Sequence, residues 1–301
     1  MASRTEQLIQ KRLAVGAPHF LSSGVQYEVV MGSVAYGVAD ESSDLDLYGF
    51  AIPPKDWVFP HLRGEIPGFD EPGQQFEQFQ QHHIVDPQAN GGRGCEYDVC
   101  IYSLVKYFRL LMENNPNIID SLFVPRNCIL HATSVGERIR EQRHLFLHKG
   151  CWPKFKGYAY GQLSRLRNKN PEGKRAALVA KFGYDVKFAY HVVRLINEVE
   201  QLLLEGTLEL ARSKEQLKAI RRGEWSLSQV EDYFSQKEVL LESLYLESDL
   251  PATPDRDGIR ELLLNCLEQH YGSLHDCVVE SQLAETALSE IEAILVKYRR
   301  S

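Results

Sequence analysis

The chain has 301 residues, 44% of them hydrophobic and 10% aromatic, and a net charge of -7. That profile excludes global disorder, and at roughly 150 residues per domain it allows one large domain or two ordinary ones. The acidic balance argues against a general coat for duplex DNA, because neutralising phosphates takes Lys and Arg.

The N-terminal MASRTEQLIQKRLAVG is polar and lacks the apolar run of a secretory signal. No stretch reaches the roughly 18 apolar residues of a membrane-spanning helix. Cys95, Cys100, Cys128, Cys151, Cys266 and Cys277 are scattered, with no C-x-x-C. This predicts reduced thiols in a cytoplasmic protein rather than a disulfide framework. Cys266, His270 and Cys277 lack the paired spacing of a zinc site, and the two thiols read as buried residues of a C-terminal helix.

In chain order, Ser3 to Leu13 reads as a short helix. Val25 to Met31 is rich in β-branched and aromatic residues, reads as a strand, and ends at Gly32. Asp44 to Ile52 alternates polar and apolar at its start, as a half-buried strand does, and Pro53-Pro54 closes it. Residues 61 to 93 carry Gly, Pro and Gln in excess and read as a long loop. Cys95 to Tyr102 is a third strand. Ser103 then caps a helix that presents Leu104, Phe108, Leu111 and Met112 on one face. Asn115-Pro116-Asn117 breaks the chain before a short helix, IIDSLF. From about Thr133 the pattern is helical. Tyr184 to Glu205 is the clearest case, with Phe188, Val192, Leu195, Ile196, Val199, Leu202 and Leu203 on its apolar face and Gly206 placed to end it. Further helices are expected over 213 to 248 and 258 to 299. The expected fold class is α+β, a mixed sheet with helices over residues 1–132 followed by an all-helical domain over 133–301.

The chemistry sits in VVMGSVAYGVADESSDLDLYGFAI. Gly32-Ser33 follows a strand directly, where glycine lets the backbone approach a ligand and successive amides form an anion nest. Tyr36 and Gly37 continue the turn. Asp44 and Asp46 are two apart on a strand, so both carboxylates project from one face while Leu45 and Leu47 point to the core. Two carboxylates this close repel as anions, and a hard cation removes the conflict. A phosphate-binding turn beside paired carboxylates is what in-line attack on a phosphoryl group with two metals requires. The third strand offers Asp98 as a further acidic ligand, with Glu96 as the fallback. Taken singly, D-x-D also suits a solvated strand end, and G-S alone says little. The combination in this order is the specific signal. No G-x-S-x-G, H-E-x-x-H or Walker A motif is present.

GSVAYGVADESSDLDLYG resembles the nucleotidyltransferase motif of the DNA polymerase β superfamily, and more closely the RNA-repair-pathway DNA polymerase β family. The resemblance continues through DVCIYSLVKYFRLLMENNPNIIDSLF and KFAYHVVRLINEVEQLLLEG, covering most of residues 25 to 240. It implies a mixed-sheet catalytic domain with an appended helical domain. It also implies transfer of a nucleotidyl group from an NTP, dependent on Mg²⁺, with Mn²⁺ as the alternative. By position it assigns Gly32 and Ser33 to the triphosphate, and Asp44, Asp46 and Asp98 to the metals and catalysis; Tyr36, which continues the turn, is a further candidate for the nucleotide.

Between Arg126 and Tyr190 fourteen Lys and Arg face only four acids, so the net charge hides a segregation. Trp152, Phe155, Tyr158, Tyr160, Phe182 and Tyr184 are interleaved there. This suits a single-stranded nucleic acid, and it equally suits amphipathic helices with buried aromatics. Lys187, His191 and Arg194 fall at i, i+4 and i+7 on one helix face, with Lys181 about two turns earlier. K-x-x-x-H-x-x-R resembles a helical signature of the same family, which makes the three candidates for the nucleotide. Lys106 and Arg109 are weaker candidates. The expected activity is nucleotidyl transfer from an NTP to a nucleic-acid end, an RNA 3′ end by the family resemblance. The alternatives are NMP transfer to a protein or small molecule, and a catalytically silent module that binds nucleotide or RNA.

Overall fold

A computed structural model describes residues 2–40, 43–58, 75–168, 174–272 and 291. The 61–74 part of the expected loop, Lys169 and Glu172 of the basic stretch, Cys277, and the expected C-terminal helix beyond 272 (Ile291 excepted) lie outside the described residues. The chain divides into two units, Met1–Pro53 with Phe76–Ile259, and Pro54–Gln75 with Arg260–Ser301. The sheet and the long central helices belong to the first.

The N-terminal half runs α1 (Arg4–Gln10), β1 (Val25–Val30), α2 (Gly32–Ala35), β2 (Leu45–Ala51), α3 (Lys55–Val58), β3 (Gln78–Asp86), α4 (Ala89–Gly92), β4 (Cys95–Ser103), α5 (Leu104–Met112), α6 (Pro116–Phe123) and β5 (Ile129–Ala132). Then follow α7 (Ser134–Glu141), α8 (Cys151–Asn168), α9 (Lys174–Phe182), α10 (Val186–Glu205), α11 (Lys214–Arg221), α12 (Leu227–Glu247) and α13 (Arg256–Tyr271). The fold is α+β.

The five strands form one mixed sheet in the order β3-β4-β2-β1-β5. β1 is antiparallel to β2 and β5, β2 is parallel to β4, and β3 is antiparallel to β4. All six residues of β1 are buried, because α1 and α7 pack against it. Tyr27, Phe50 and Tyr107 pack ring against ring, with centroids 5.8 and 4.9 Å apart. Burial of each such side chain contributes about 1.5–3 kcal/mol. Both phenols find partners, Tyr27 Oη donating to Ser121 O at 3.0 Å and Tyr107 Oη meeting Ser121 Oγ at 2.6 Å. Glu28 is buried on β1, and its carboxylate accepts from the backbone N–H groups of Arg4 and Thr5 at the start of α1.

Local signals set several boundaries. Ser3 Oγ accepts from Glu6 N at 3.1 Å and caps α1, and Ser103 Oγ accepts from Lys106 N at 3.2 Å and caps α5. α10 is capped by Asp185 and ends at Gly206 in the left-handed region, φ 60°. Its seven expected apolar positions are all buried, against α8, α11 and α12. The Gln-rich segment departs from expectation. Instead of continuous loop, residues 78–86 form β3, whose partners are the residues of β4. β5 was also absent from the sequence-based elements. Leu45 is half-exposed rather than core, while Leu47 is fully buried.

Among the described residues five cysteines are free thiols, and no helix is long and apolar enough to cross a membrane. Burial holds the His148 imidazole below its ordinary pKa. Its Nε2–H donates to Met112 O at 2.9 Å and its Nδ1 accepts from Gly150 N at 3.1 Å. Protonation at Nδ1 breaks the second bond. The folded state therefore binds this proton less well than the unfolded chain, and the stability His148 contributes is whole above the ordinary value of about 6.5 and is lost as pH falls below it, through the lower pKa of the folded state. Urea unfolding at pH 7.5 and 5.5 is expected to show a smaller acid-induced loss for His148→Gln than for the parent chain.

Candidate active site

The G-S turn begins where β1 ends. Met31 N donates to Asp46 O at 2.7 Å, which ties the strand end to the neighbouring strand. Gly32 then turns with φ +62°, and a Cβ there would lie 1.9 Å from Asp46 Oδ2. The position needs glycine on both counts, conformation and space. The absent side chain is what lets the turn sit against the Asp46 carboxylate. Ser33 O accepts from Val38 N at 2.8 Å and closes the loop after α2.

Asp46 pairs in register with Asp98, directly across the parallel β2–β4 ladder. Neighbouring strands lie about 4.8 Å apart, so these side chains leave the sheet side by side. Burial, above all, pushes the Asp46 carboxyl up from its ordinary pKa; the Asp98 carboxylate adds to this, Lys187 opposes it, and Asp44 adds a smaller share. Asp44 is exposed just before β2. Three acids thus converge in charge on one place, with Lys187 from the first turn of α10 as the cation felt there. The donors are all carboxylate oxygens, a set that suits a hard cation. Among the described residues, no group of three or more His, Cys, Asp or Glu is arranged to hold an ion as it stands.

Asp98 and Glu96 differ in their surroundings. Asp98 Oδ1 accepts from His83 N at 2.8 Å, and its Oδ2 lies 3.0 Å from His82 Nδ1. Glu96 is held by the His83 ring. Asp98, not Glu96, is the residue level with Asp46.

The helical candidates separate into two groups. Lys187 is exposed, and its charge reaches Asp46. His191 is held well below its ordinary pKa, first by burial and then by Arg194, Lys187, Arg175 and Arg221. It is therefore a neutral hydrogen-bonding group in a cationic setting. Arg194 and Tyr36, by contrast, are 5% and 3% exposed. The Arg194 guanidinium donates to Tyr36 Oη, to Asp120 Oδ2 at 2.5 Å, and to Glu198 Oε1 at 3.2 Å. It also lies 4.6 Å from the Tyr36 ring centroid. Tyr36 Oη in turn donates to Asp120 Oδ2 at 2.7 Å. These two side chains bind protein, and they join the G-S turn to α6 and α10.

Four of the fourteen basic residues of the stretch form ion pairs among the described residues. Arg126 pairs with Glu137, Lys154 with Glu113, Lys156 with Glu238 and Glu242, and Arg175 with Asp185. Lys106 and Arg109 both face Glu77. Trp152, Phe155 and Tyr184 are buried. Tyr158 and Tyr160 are more exposed, yet the Tyr160 hydroxyl is bound to Glu238. Lys181 is exposed, with its ammonium 4.8 Å from the Phe182 ring centroid.

Sequence reasoning missed His82, His83, Arg175, Arg221, Asp120 and Glu198. Arg221 donates to Val38 O at 2.7 Å and so holds the segment between the turn and Asp44. The His-His pair at the end of the Gln-rich run and the i, i+4 spacing of Arg194 and Glu198 were the visible signals; Arg221 and Asp120 are joined to the site by long-range packing.

No curated protein matches the chain. Among solved structures, a nucleotidyltransferase-like protein from Exiguobacterium sibiricum shares 12% identity across 97% of this chain and 90% of that one. Its TM-score of 0.28 is too low for an argument from shape. The RNA repair pathway DNA polymerase beta family matches over residues 6–245, a span that takes in the G-S turn, all three aspartates and the whole of α10. The chain belongs to that nucleotidyltransferase-like family.

Proposed function

We propose that this protein transfers a nucleotidyl group from an NTP to an RNA 3′ end. The observation that carries the reading is the register of Asp46 with Asp98 beneath a turn whose Gly32 leaves no room for a side chain. Family membership supports the reaction class, and the family's description supports RNA as the acceptor.

In this reading Asp44, Asp46 and Asp98 hold Mg²⁺ or Mn²⁺. Bound there, the ions offset the carboxylate repulsion, lower the pKa of the attacking hydroxyl and neutralise the triphosphate. The amides of Gly32 and Ser33 receive the β- and γ-phosphates. Lys187 adds a positive charge, and His191 acts as a neutral donor at the nucleotide. Asp98 takes the proton of the acceptor hydroxyl. The hydroxyl oxygen bonds to the α-phosphorus, the bond to the bridging β-oxygen breaks, and pyrophosphate leaves. Tyr36 and Arg194 act on the nucleotide indirectly, by fixing the turn from behind. Residues 1–132 carry the catalytic groups, and the helical region that starts at 133 contributes Lys187 and His191 from α10.

Nucleotidyl transfer to a protein or small molecule is the second reading, and the ion pairing of the basic stretch favours it. Incubation with each labelled NTP, Mg²⁺ or Mn²⁺, and a panel of RNAs, DNAs and proteins separates the two by which acceptor takes label. No labelling under any condition would favour a silent nucleotide-binding module.

Gly32→Ala tests the turn. The new methyl meets Asp46 Oδ2, and the left-handed backbone is strained. The expected cost is about 1–3 kcal/mol in urea unfolding. The expected loss of transfer is on the order of 10²-fold, because displacement of a catalytic group by about 1 Å costs that much.

A further inference from the structure

The Gln-rich run ends in two histidines, and β3 places them with unusual care. Gln81 pairs with Val99 and Ile84 with Tyr97, so His82 and His83 together stand opposite the single residue Asp98. This is a β-bulge, one extra residue that re-aims side chains on its strand. The burial pattern records it. Phe79 is buried at an odd position, whereas Ile84 and Asp86 are buried at even ones. His83 carries the turn with φ 57°.

On the outer face of β3 a line of hydrogen bonds runs toward the bulge. Gln78 Nε2 donates to Gln80 Oε1 at 3.2 Å. Gln80 Nε2 lies 2.7 Å from His82 Nε2. An amide NH₂ can only donate, so His82 Nε2 accepts and the ring proton sits on Nδ1. That Nδ1–H points to Asp98 Oδ2 at 3.0 Å. His83 N donates to the other oxygen, Oδ1, at 2.8 Å. Both oxygens of Asp98 are thus held from β3. His82 is 54% exposed, so it adds little to the core; what its ring contacts is a carboxylate and an amide.

We propose that His82 is a positioning residue for Asp98, its ring oriented by Gln80 and aimed by the bulge. The inference rests on the nucleotidyl-transfer reading, in which Asp98 is the third acidic ligand. A carboxylate held at one oxygen instead of two loses ligand geometry, and removal of such a hydrogen-bond partner typically costs 10- to 100-fold in metal affinity or activity.

The test is Mn²⁺ titration of the full chain, followed by electron paramagnetic resonance of the free ion, beside steady-state transfer kinetics. The variants are His82→Ala, His82→Asn and Asp46→Asn. His82→Ala is expected to weaken Mn²⁺ binding by about 10-fold and to lower kcat, with KM for the NTP within about twofold. The amide of His82→Asn can replace the Nδ1–H donor, and it is expected to restore both to within about threefold. The melting temperature of both His82 variants is expected to stay at the parent value, and that of Asp46→Asn to equal or exceed it. Unchanged Mn²⁺ affinity and kcat in His82→Ala would overturn the proposal, as would equal loss in His82→Asn or a melting temperature several degrees lower. Affinity reduced in His82→Ala but unchanged in Asp46→Asn overturns the aspartate reading while upholding the role of His82 at Asp98. A parent chain that binds no Mn²⁺ overturns both.

Discussion

Asp46→Asn is expected to lower nucleotidyl transfer by about 10³-fold or more while the protein remains folded. Asp46 lies at the centre of the proposed site, level with Asp98 and against the G-S turn. Asn keeps the shape but halves the oxygen donors and removes the charge that would hold a cation. Stability should not fall with activity. Burial and the neighbouring acids disfavour the charged form of Asp46 in the fold, so a neutral side chain relieves a conflict. The expected melting temperature equals or exceeds that of the parent chain, a signature of a residue kept for function at a cost in stability. Asp44→Asn should act in the same direction with a smaller change in stability, since Asp44 is exposed. Labelling that persists in the double variant would overturn the proposed mechanism.

Arg194→Met is expected to act the other way, with stability as the first casualty. Arg194 is the cation among Asp120, Glu198 and Tyr36, all buried to within a few per cent. Burial pushes the carboxyls of both Asp120 and Glu198 up, and it raises Glu198 well above the ordinary range. These directions set the expectation that one guanidinium balances one carboxylate, with Glu198 the group that keeps its proton. Removing one partner of a buried pair leaves an uncompensated charge and costs about 3–5 kcal/mol. Glu198→Gln keeps the neutral form and should change stability by less than about 1 kcal/mol. Urea unfolding of the two variants distinguishes them. Equal losses would show that Glu198 is charged in the fold. Tyr36 anchors the G-S turn through this network, so any Arg194→Met protein that folds should also show a raised KM for the NTP.

The two variants separate two kinds of residue that one sequence motif presents alike. Lys187, His191 and Arg194 share a helix face by spacing. Only the packed fold shows that Lys187 is exposed within reach of Asp46 while Arg194 is consumed by α6 and the turn. The same holds for the charge map. Fourteen basic residues in one stretch suggest a phosphate track. Two of them, Lys154 and Lys156, meet acids from outside the stretch, and for Lys156 these are Glu238 and Glu242 on α12, more than 80 residues away. Pairing at that separation leaves no periodic trace in the sequence.

What the sequence determined by itself is what is local. β-branched composition marked β1, period-two alternation marked β2 and Asp46 on it, and period-3.6 burial with Asp185 and Gly206 at the ends marked α10. Ser3 and Ser103 marked their helices because a hydroxyl cap acts within three residues. Gly32 was legible because a glycine between strand and turn has few other uses. Tertiary structure decided the rest. β3 is an exposed edge strand whose outer face is Gln and His, so it lacks the apolar alternation that betrays a strand. β5 is four residues long and exists through its pairing with β1. Asp98 rather than Glu96 stands beside Asp46 because register is a relation between strands, fixed by packing on both faces of the sheet. The bulge that brings His82 and His83 onto Asp98 follows for the same reason, since an extra residue is defined only against the strand it faces.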